Sequence, residues 1–430
     1  MTSRRECYVY LQMPQSMEVV TCGKFVLDAH ARGPSVGRFV YGRTYRTRAD
    51  AVPLDPINLP LSDRTYETAE LGGLFGALRD AGPDAWGRRV IERRSGHGKL
   101  HELDYLLEAP EDGAGALAFG LGVAPPAPRR TFNRILQLRE LRQAAAVIER
   151  AETEEEVARQ LRDLVDPTTS LGGARPKNGV EAENGLWIAK FPARDDRWNH
   201  AAVELAMLDL ARDCGIRTPE ARIEKLGEES ILLVRRFDRT PDDGGGYHRH
   251  RMLSGLTILR ASESATEMRN WSYPLLADEL RRISSRPEED RRELYRRMVF
   301  NALISNHDDH PRNHAVIAPG RAWELSPAFD LTPGPQHAME HRDLALVCGK
   351  HGRAATASNL ISQAPRFALS REEARQVIDT MQSVVAARWH SRVLEFGGSR
   401  RDVDAIASAF VYPGFFYDAE DGDNDGVLDS

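Results

Sequence analysis

The 430-residue chain has few of the features that mark secreted, membrane-spanning or metal-stapled proteins. Its four cysteines are scattered and form no C-x-x-C pair, so neither a zinc site nor a disulfide framework is predicted. The first residues lack the apolar core of a signal peptide, and no run approaches the ~18 apolar residues of a membrane span. We therefore expect a cytoplasmic protein that has no membrane partner.

The chain also lacks a strong charge imbalance, and it is poor in lysine. A net charge of -6 gives no reason to expect tight nucleic-acid binding by the chain as a whole. Only six of its 58 basic residues are lysines, so a lysine at a motif position is informative, because Lys and Arg differ as phosphate ligands. The length allows two or three domains with their own cores.

One loop carries the groups of a phosphotransferase. The segment 305–313 has the sequence S-N-H-D-D-H-P-R-N, and L-S-P-A-F-D follows at 325–330. Asp308 and Asn313 have the D-x-x-x-x-N spacing of a protein-kinase catalytic loop, and Asp330 follows a hydrophobic run. In such a site the first Asp receives the proton of the acceptor hydroxyl, while the Asn and the later Asp hold Mg²⁺ against the ATP phosphates. The spacing favours kinase chemistry, although two acids and an Asn are common in loops.

The upstream segments occur in the order that a kinase requires. Segment 170–177, S-L-G-G-A-R-P-K, has small residues that let backbone N–H groups approach a phosphate, although by itself it is more simply a Gly-rich turn within the loop predicted over 168–180. Lys190 lies on a predicted strand and Glu204 in the following predicted helix. A kinase uses such a pair to neutralise the α/β-phosphates and to position the lysine. The alternative is a strand-end lysine and a surface glutamate, and the order favours the functional interpretation.

Segment 235–239, R-R-F-D-R, follows a predicted buried strand. In a kinase this position is the hinge between lobes, where backbone groups meet the adenine. Without the other motifs, the segment is an ordinary polar strand end.

A metallohydrolase of the His-Asp type is the sharpest rival interpretation. His307 and Asp308 are adjacent and could ligate a divalent metal. Such a site needs further ligands from other parts of the chain, and His200, His248 and His250 are the available histidines.

The motifs together resemble the HipA family, bacterial Ser/Thr kinases that are the toxins of HipBA-type toxin–antitoxin modules. The matching segments are 170–177, 187–192, 235–239, 306–313 and 325–330, with further cues to the family's N-terminal module at 37–41, 59–62 and 74–86. The resemblance runs from about Tyr8 to about Arg388, nearly the whole chain.

The resemblance assigns roles to individual residues. It implies that Asp308 is the catalytic Asp and that Asn313 and Asp330 bind Mg²⁺. It also implies that Lys190 contacts the ATP phosphates and that Ser170 matches the family's autophosphorylated loop serine. The other nucleotide contacts that it implies are Gly172, Gly173, Ala174, Lys177, Arg236, Phe237, His310 and Phe329.

Two departures from the family pattern bear on these roles. Arg175 and Pro176 stand where family loops carry Gln-Glu, and Pro176 has no N–H to offer a phosphate. Asp309 stands where a Gly is familiar. We expect Asp309 either to raise the pKa of Asp308 or to face solvent.

The expected fold class is α+β. It comprises a two-lobed protein-kinase-like fold, with a sheet in the small lobe and a helical large lobe, preceded by a small α/β N-terminal module. We predict the N-terminal module over 1–125, the small lobe with phosphate loop and hinge over 126–240, the large lobe with catalytic loop over 241–410 and an acidic tail over 411–430.

The implied function is that of a Mg²⁺-ATP-dependent Ser/Thr protein kinase and phosphoprotein, the toxin of a toxin–antitoxin module. Its implied partners are a HipB-like helix-turn-helix antitoxin and a protein substrate, for which the family suggests an aminoacyl-tRNA synthetase. DNA would be contacted only through the antitoxin. A second hypothesis is a catalytically weak kinase-like protein that acts by binding the antitoxin.

Overall fold

The computed structural model describes residues 2–30, 33–95, 100–109, 113–127, 132–150, 175–182, 185–263 and 268–419. The chain divides into two compact units. Unit 1 comprises Met1–Ala193, Glu224–Ser262 and Ala315–Trp323, and unit 2 comprises Arg194–Ile223, Glu263–His314 and Glu324–Ser430. The module boundaries drawn from the sequence stay a prediction.

The elements follow each other in a mixed order of strands and helices. The strands are β1 (Thr2–Gln12), β2 (Val19–His30), β3 (Val36–Tyr41), β4 (Tyr66–Thr68), β5 (Leu117–Gly120), β6 (Lys177–Ala182), β7 (Gly185–Lys190), β8 (Ala221–Leu226), β9 (Glu229–Arg235), β10 (Arg239–Pro241), β11 (Tyr247–Arg249), β12 (Arg251–Ser254), β13 (Ala315–Ala318) and β14 (Glu324–Leu325). The α-helices are Arg43–Arg46, Gly76–Ala81, Ala85–Ser95, Glu102–Glu108, Leu138–Arg150, His200–Asp213, Gly255–Ile258, Tyr273–Ile283, Pro287–Leu303, Ala357–Ile361, Arg371–Glu395 and Arg400–Ile406.

The N-terminal sheet of unit 1 has the order β4-β3-β2-β1-β5. Side chains along β3 alternate between half-buried and buried, the period of two expected for a sheet with one covered face. Phe25 and Phe39 point to that face and meet Phe75 edge to face, with ring centroids 6.4 and 6.5 Å apart. Aromatic packing of this kind fixes which face of the sheet is buried.

A second sheet has the order β6-β7-β9-β8. Its buried side chains Val180, Trp187 and Leu233 form one hydrophobic cluster with Trp86 and Leu141, which lie in the helices Ala85–Ser95 and Leu138–Arg150. The sheet that carries the predicted phosphate-binding lysine is therefore packed against helices from earlier in the chain.

The prediction of a Gly-rich loop over 168–180 was wrong for the last residues of that range. Lys177 begins β6, which pairs with β7 in an antiparallel register from Lys177↔Lys190 to Ala182↔Gly185. Pairing satisfies the backbone groups that a loop would have to expose to water. Residues 168–174 lie outside the described residues.

Unit 2 is built around the buried helix Pro287–Leu303. The helix His200–Asp213 begins at Asn199, whose side chain accepts the Ala202 N–H at 3.1 Å. It ends before Gly215, which has a left-handed φ of 73°, as expected for a residue that closes a helix. The long helix Arg371–Glu395 opens with a capping box between Ser370 and Glu373.

The end of the described chain is packed. Tyr412 and Phe415, which fall in the segment predicted as an acidic tail, are buried, and the Tyr412 hydroxyl donates to Ala355 O at 2.9 Å. Among the helices that the structure describes, none combines the length and the apolar character that a membrane span requires.

Candidate active site

The predicted catalytic loop begins at a backbone kink. Ser305 directly follows the helix Pro287–Leu303 and its cap, and has a φ of 50°, a left-handed conformation that is uncommon for a serine. Its hydroxyl donates to Ala409 O at 2.7 Å and accepts from Arg342 Nη1 at 2.6 Å. These bonds hold the strained residue in place, and such strain is typical of functional sites.

The loop then folds back so that Asp308 and Asn313 are neighbours. The Asp308 carbonyl accepts the His310 N–H at 2.8 Å and lies 3.4 Å from Asn313 Nδ2. His310 Nδ1 accepts the Arg312 N–H at 3.0 Å and so caps the short 3-10 turn Pro311–Asn313. The Asp308 side chain is exposed, so an acceptor can reach it from solvent.

The electrostatics of the loop match those of a site that accepts a proton and holds a cation. Partial burial raises the pKa of the Asp308 carboxyl, the charge of Asp330 raises it further, and His307 opposes the rise. Two carboxylates that repel each other are the arrangement that a divalent cation relieves. Carboxylate and amide oxygens are the ligands that Mg²⁺ prefers. Asp330 and Asn313 therefore carry the ligand types of a Mg²⁺ site, and the roles predicted for them and for Asp308 stay predictions.

Asp330 also has an unusual backbone. Its φ is 60°, in the left-handed region, which Asp tolerates better than most residues because its short polar side chain can bond locally. The backbone just before it is held by the Ala328 N–H, which donates to Arg217 O at 2.7 Å. Phe329, between them, is half-buried.

Asp309 is a buried residue of the predicted catalytic loop and anchors it through hydrogen bonds. It is only 2% exposed, accepts a hydrogen bond from the Tyr273 hydroxyl and lies 2.9 Å from His314 Nε2. Asn301 Nδ2 donates to the same hydroxyl at 2.9 Å. The expectation that Asp309 faces solvent was wrong, because Tyr273 and His314 supply buried partners from two different parts of the chain. The alternative expectation is supported, since the Asp309 charge contributes, as the smallest of the causes, to the raised pKa of Asp308.

Gly334 shows how closely the chain approaches this loop. A Cβ added to Gly334 would lie 2.1 Å from His307 Nδ1 and 2.5 Å from Ser305 O. The Gly334 N–H donates to Ile304 O at 3.3 Å. Only glycine fits at position 334, because the segment after Asp330 passes so close to the predicted catalytic loop. Sequence reasoning missed this residue, because close approach is not a local pattern.

The predicted phosphate-binding lysines lie in unit 1. Lys190 ends β7, as predicted for a strand lysine, and is half-buried. Lys177 lies opposite it on β6, is 2% exposed and has its Nζ 3.0 Å from the Asp84 carboxylate. Lys177 thus already has an anionic partner. Its predicted contact with a phosphate would require it to exchange that partner, and the contact stays a prediction.

The predicted hinge residues surround a buried ion cluster. Arg236 Nε and Nη2 lie 2.9 and 2.8 Å from the Asp238 carboxylate, and Arg239 Nη1 lies 2.7 Å from it. Arg236 Nη2 also donates to Gly113 O at 3.1 Å, and the Gly115 N–H donates to Asp238 at 2.9 Å. The Arg236 side chain is therefore committed to this cluster. The sequence contained no local signal for the contact with residues more than 100 positions earlier.

The cluster has a marked effect on Asp238. Burial alone would raise the pKa of its carboxyl, but the charges of Arg236 and Arg239 and the hydrogen bonds to them outweigh burial and hold the pKa far below its usual range. Phe237 lies between the charged residues and is half-buried, with its carbonyl 3.1 Å from His250 Nδ1.

Several predicted site residues are not tested. Ser170, Gly172, Gly173 and Ala174 lie outside the described residues. Glu204 is buried in the helix His200–Asp213 of unit 2, whereas Lys190 belongs to unit 1. The predicted roles of all these residues stay predictions.

The structure does not favour the metallohydrolase. Within the described residues, no group of three or more His, Cys, Asp or Glu side chains is arranged to hold a metal ion. The available histidines have other partners: His248 Nε2 lies 3.1 Å from Asp242, and His250 contacts Phe237 and Thr240. His200 stacks on Trp198, with ring centroids 4.7 Å apart.

Known proteins match this chain at three levels. The HipA-like C-terminal domain family matches residues 169–389, and the HipA N-terminal domain family matches residues 18–120. Two curated proteins of Sinorhizobium fredii (strain NBRC 101917 / NGR234), both named as candidate kinases, align in part. Y4dM is 29% identical over 168 residues, which are 35% of this chain and 38% of that protein. Y4mE is 25% identical over 169 residues, 38% of each. The chain thus spans less than half the length of the curated relatives it matches.

Among solved structures, HipA from the Shewanella oneidensis MR-1 complex of HipA, HipB and operator DNA has the same fold. The TM-score is 0.68 at 18% sequence identity, over 93% of this chain and 94% of that chain. The match confirms the predicted α+β, protein-kinase-like fold class.

Proposed function

Because the chain belongs to the HipA family, we propose that it is a Mg²⁺- and ATP-dependent serine/threonine protein kinase and the toxin of a type II toxin–antitoxin module. The observation that carries the proposal is the state of Asp308. Asp308 has surface open to solvent, belongs to a loop fixed at Ser305 and Asp309, and has a partly buried carboxyl whose pKa is raised by desolvation and by the charge of Asp330. A structural carboxylate would instead be paired with a cation.

In the proposed reaction Asp308 accepts the proton of the acceptor hydroxyl while the oxygen attacks the γ-phosphorus. A raised pKa improves a carboxylate as a proton acceptor, because the base then lies nearer the operating pH. Asp330 and Asn313 would hold Mg²⁺. Mg²⁺-ATP, when bound, would supply the phosphoryl group, the bond between the γ-phosphorus and ADP would break so that ADP leaves, and the metal charge would offset the charge of the phosphates. Lys190 would contact the phosphates, and Glu204 would position Lys190.

The direct test uses the purified full chain and ATP labelled in its γ-phosphate. We expect label on the chain itself or on proteins of a cell extract when Mg²⁺ is present, and none when EDTA removes the metal. Equal labelling with and without a divalent metal would contradict the proposal. Cytoplasmic location, which the proposal includes, is checked by fractionation of the native host.

We further propose autophosphorylation at Ser170. A phosphate there adds nearly two negative charges to the loop in which ATP phosphates would have to sit, so it should switch the kinase off. Mass spectrometry of the chain after incubation with ATP locates the phosphate, with Thr168 and Thr169 as adjacent alternatives. Finding none on residues 168–170 under active turnover would exclude this regulation.

The proposed partners follow the family and the Shewanella complex, in which HipA is accompanied by HipB and operator DNA. They are a small helix-turn-helix antitoxin, DNA through that antitoxin only, and a protein substrate of the aminoacyl-tRNA synthetase class. We expect that overproduction of this chain slows translation and growth and that the antitoxin relieves the arrest. Arrest by Asp308→Asn as well as wild type would favour the binding-only hypothesis, and unimpaired growth with both at equal soluble levels would contradict toxicity.

A further inference from the structure

A cleft in unit 2 shares Asp308 with the proposed active site. Its volume is about 600 Å³, within the usual range of ligand sites. It is lined by Met268, Trp271, His307, Asp308, His310, Gln336, His341, Arg342, Asp343, Leu344, Ala345 and Arg353. Neither Asn313 nor Asp330 lines it. The cleft therefore extends from Asp308 on a side that the residues proposed for Mg²⁺ do not line, which is where an acceptor must approach.

The walls of the cleft suit a polypeptide more than a small enclosed ligand. His307, Asp308, His341 and Asp343 are exposed, so the cleft opens to solvent beside the proposed base. Its deeper wall includes the buried Leu344 and Trp271, and the Trp271 ring meets His310 edge to face at 4.3 Å. An exposed polar rim over an apolar floor resembles a protein-binding surface.

Several polar groups of the cleft already have partners or carry no charge. Asp343 lies 3.1 Å from His341. The buried Arg342 donates to Ala338 O at 2.8 Å, to Gln336 O at 3.1 Å and to Ser408 O at 2.8 Å. Burial and the charge of Arg312 lower the pKa of His310 to about 4, so its ring is neutral at physiological pH.

Arg353 is different. Its one side-chain contact is Nη2 to Met268 O at 3.5 Å, and no carboxylate in the described part of the chain pairs with it. Arg353 is a half-buried residue, and its positively charged side chain belongs to the wall of the cleft. An arginine that is partly desolvated and has no anionic partner is a recognition group for a carboxylate, which it can bind through two parallel hydrogen bonds.

The backbone that carries Arg353 is rigidly held. Its carbonyl accepts the Leu344 N–H at 2.9 Å, and Asp343 and Ala354 form an antiparallel bridge. The buried Asn359 donates through Nδ2 to Ala354 O at 2.8 Å and to Gly352 O at 3.2 Å. A charged side chain on a rigidly held backbone selects among ligands better than one on a mobile loop.

We propose that this cleft binds the acceptor polypeptide and that Arg353 pairs with an aspartate or glutamate flanking the acceptor serine or threonine. The inference rests on the proposed function, because Asp308 makes the cleft an acceptor site. It adds to that function a substrate class, namely acidic acceptor segments, and it names Arg353 as the residue that selects this class.

The test measures peptide binding to the full chain by fluorescence anisotropy, so it does not depend on phosphotransfer. The probes are labelled peptides with one central serine flanked by aspartate and glutamate, or by asparagine and glutamine, or by lysine. We expect the wild type to bind the acidic peptide most tightly. Arg353→Gln should weaken the binding of that peptide by about 10- to 100-fold, the effect of losing a hydrogen bond between charged groups. Arg353→Lys should retain part of the preference.

Two further variants keep the result interpretable. Arg353→Glu should reverse the preference toward the lysine peptide, a gain that a folding defect cannot produce. Arg281→Gln, which removes an exposed arginine outside the cleft, should bind as the wild type does. A wild type without preference for the acidic peptide, or an Arg353→Gln variant that keeps the preference, would overturn the inference.

Phosphotransfer to the same peptides separates the two proposals. Selective binding of the acidic peptide without phosphate transfer, by a chain that also fails to label itself or extract proteins, would contradict the kinase function and leave Arg353 as the anchor of an acidic ligand. Efficient transfer to all three peptides alike would support the kinase and exclude the selectivity.

Discussion

Asp238 and Asp308 are two carboxylates in opposite environments. Asp238 in unit 1 is fully buried between Arg236 and Arg239, and their charges hold its pKa far below the usual range. Asp308 in unit 2 is exposed, has another carboxylate, Asp330, near enough to raise its pKa, and forms no ion pair with a lysine or arginine of the described residues.

The difference separates structural from chemical roles. A carboxylate between two buried arginines is fixed in its charged form and stabilises the fold, because removing it leaves two unpaired charges. A carboxylate beside another carboxylate is left able to take up a proton or a cation. The following changes test whether the two sites behave so differently.

The largest effect is expected from Asp330→Asn. Asparagine tolerates the left-handed backbone at this position, so the change removes the charge and leaves the conformation. Loss of a metal ligand should weaken Mg²⁺-dependent binding of a non-hydrolysable ATP analogue by at least about 100-fold, measured by titration calorimetry. Asp379→Asn, an exposed acid on the helix Arg371–Glu395, is the control. Unchanged binding in Asp330→Asn would remove Asp330 from the metal site.

Asp238→Asn should cost stability. Two buried arginines lose their counter-charge, which destabilises by about 3–5 kcal/mol, measured by urea unfolding against the exposed control Asp243→Asn. Because folding lowers the pKa of Asp238, its contribution is complete above the pKa of an unfolded aspartate, about 3.9, and declines as the pH falls below it. A stability difference between wild type and variant that does not shrink in acid would contradict the assignment.

Tyr273→Phe should loosen the support of the catalytic loop. The variant loses the hydroxyl that donates to the buried Asp309, a bond to a charged acceptor with a typical contribution of about 1.5–3 kcal/mol. Tyr295→Phe is the matched control, since that buried hydroxyl bonds only a neutral carbonyl at 3.4 Å. Equal unfolding free energies for the two variants would show that the Asp309 network does not stabilise the loop.

Gly334→Ala tests the close approach to the loop. The added methyl overlaps His307 and Ser305 O, and overpacking of this kind costs about 1–3 kcal/mol. We expect the displaced loop to lower phosphotransfer as well. Gly320→Ala, whose methyl meets nothing closer than 3.6 Å, serves as the control. Wild-type stability and rate in Gly334→Ala would mean that the segment moves aside at no cost.

Local patterns let the sequence predict much of the fold. The strand that carries Lys190, the helix that carries Glu204 and the buried strand before 235–239 were predicted, and the structure confirms them as β7, the helix His200–Asp213 and β9. The chain order of the kinase motifs led to the family and the fold class, both of which the comparisons confirm.

The features that the sequence could not supply are contacts between distant residues. Arg236 meets Gly113 across 123 positions, and Tyr273 meets Asp309 across 36. No residue near Asp309 in the sequence indicates that Asp309 is buried, and none near Arg353 indicates that Arg353 pairs with no acid among the residues that the structure describes. A residue's polarity can be read from sequence, whereas its partners depend on which segments the fold brings together.

The central claim is that Asp308 is a catalytic base and not a structural acid. Its most direct test is the single-turnover rate of phosphate transfer at saturating Mg²⁺-ATP in wild type and Asp308→Asn, with urea unfolding of both. We predict a rate about 10²–10⁴-fold lower in the variant, the usual effect of losing a general base, and an unfolding free energy within about 0.5 kcal/mol of wild type, as for an exposed residue. An undiminished rate in a folded Asp308→Asn variant would contradict the claim.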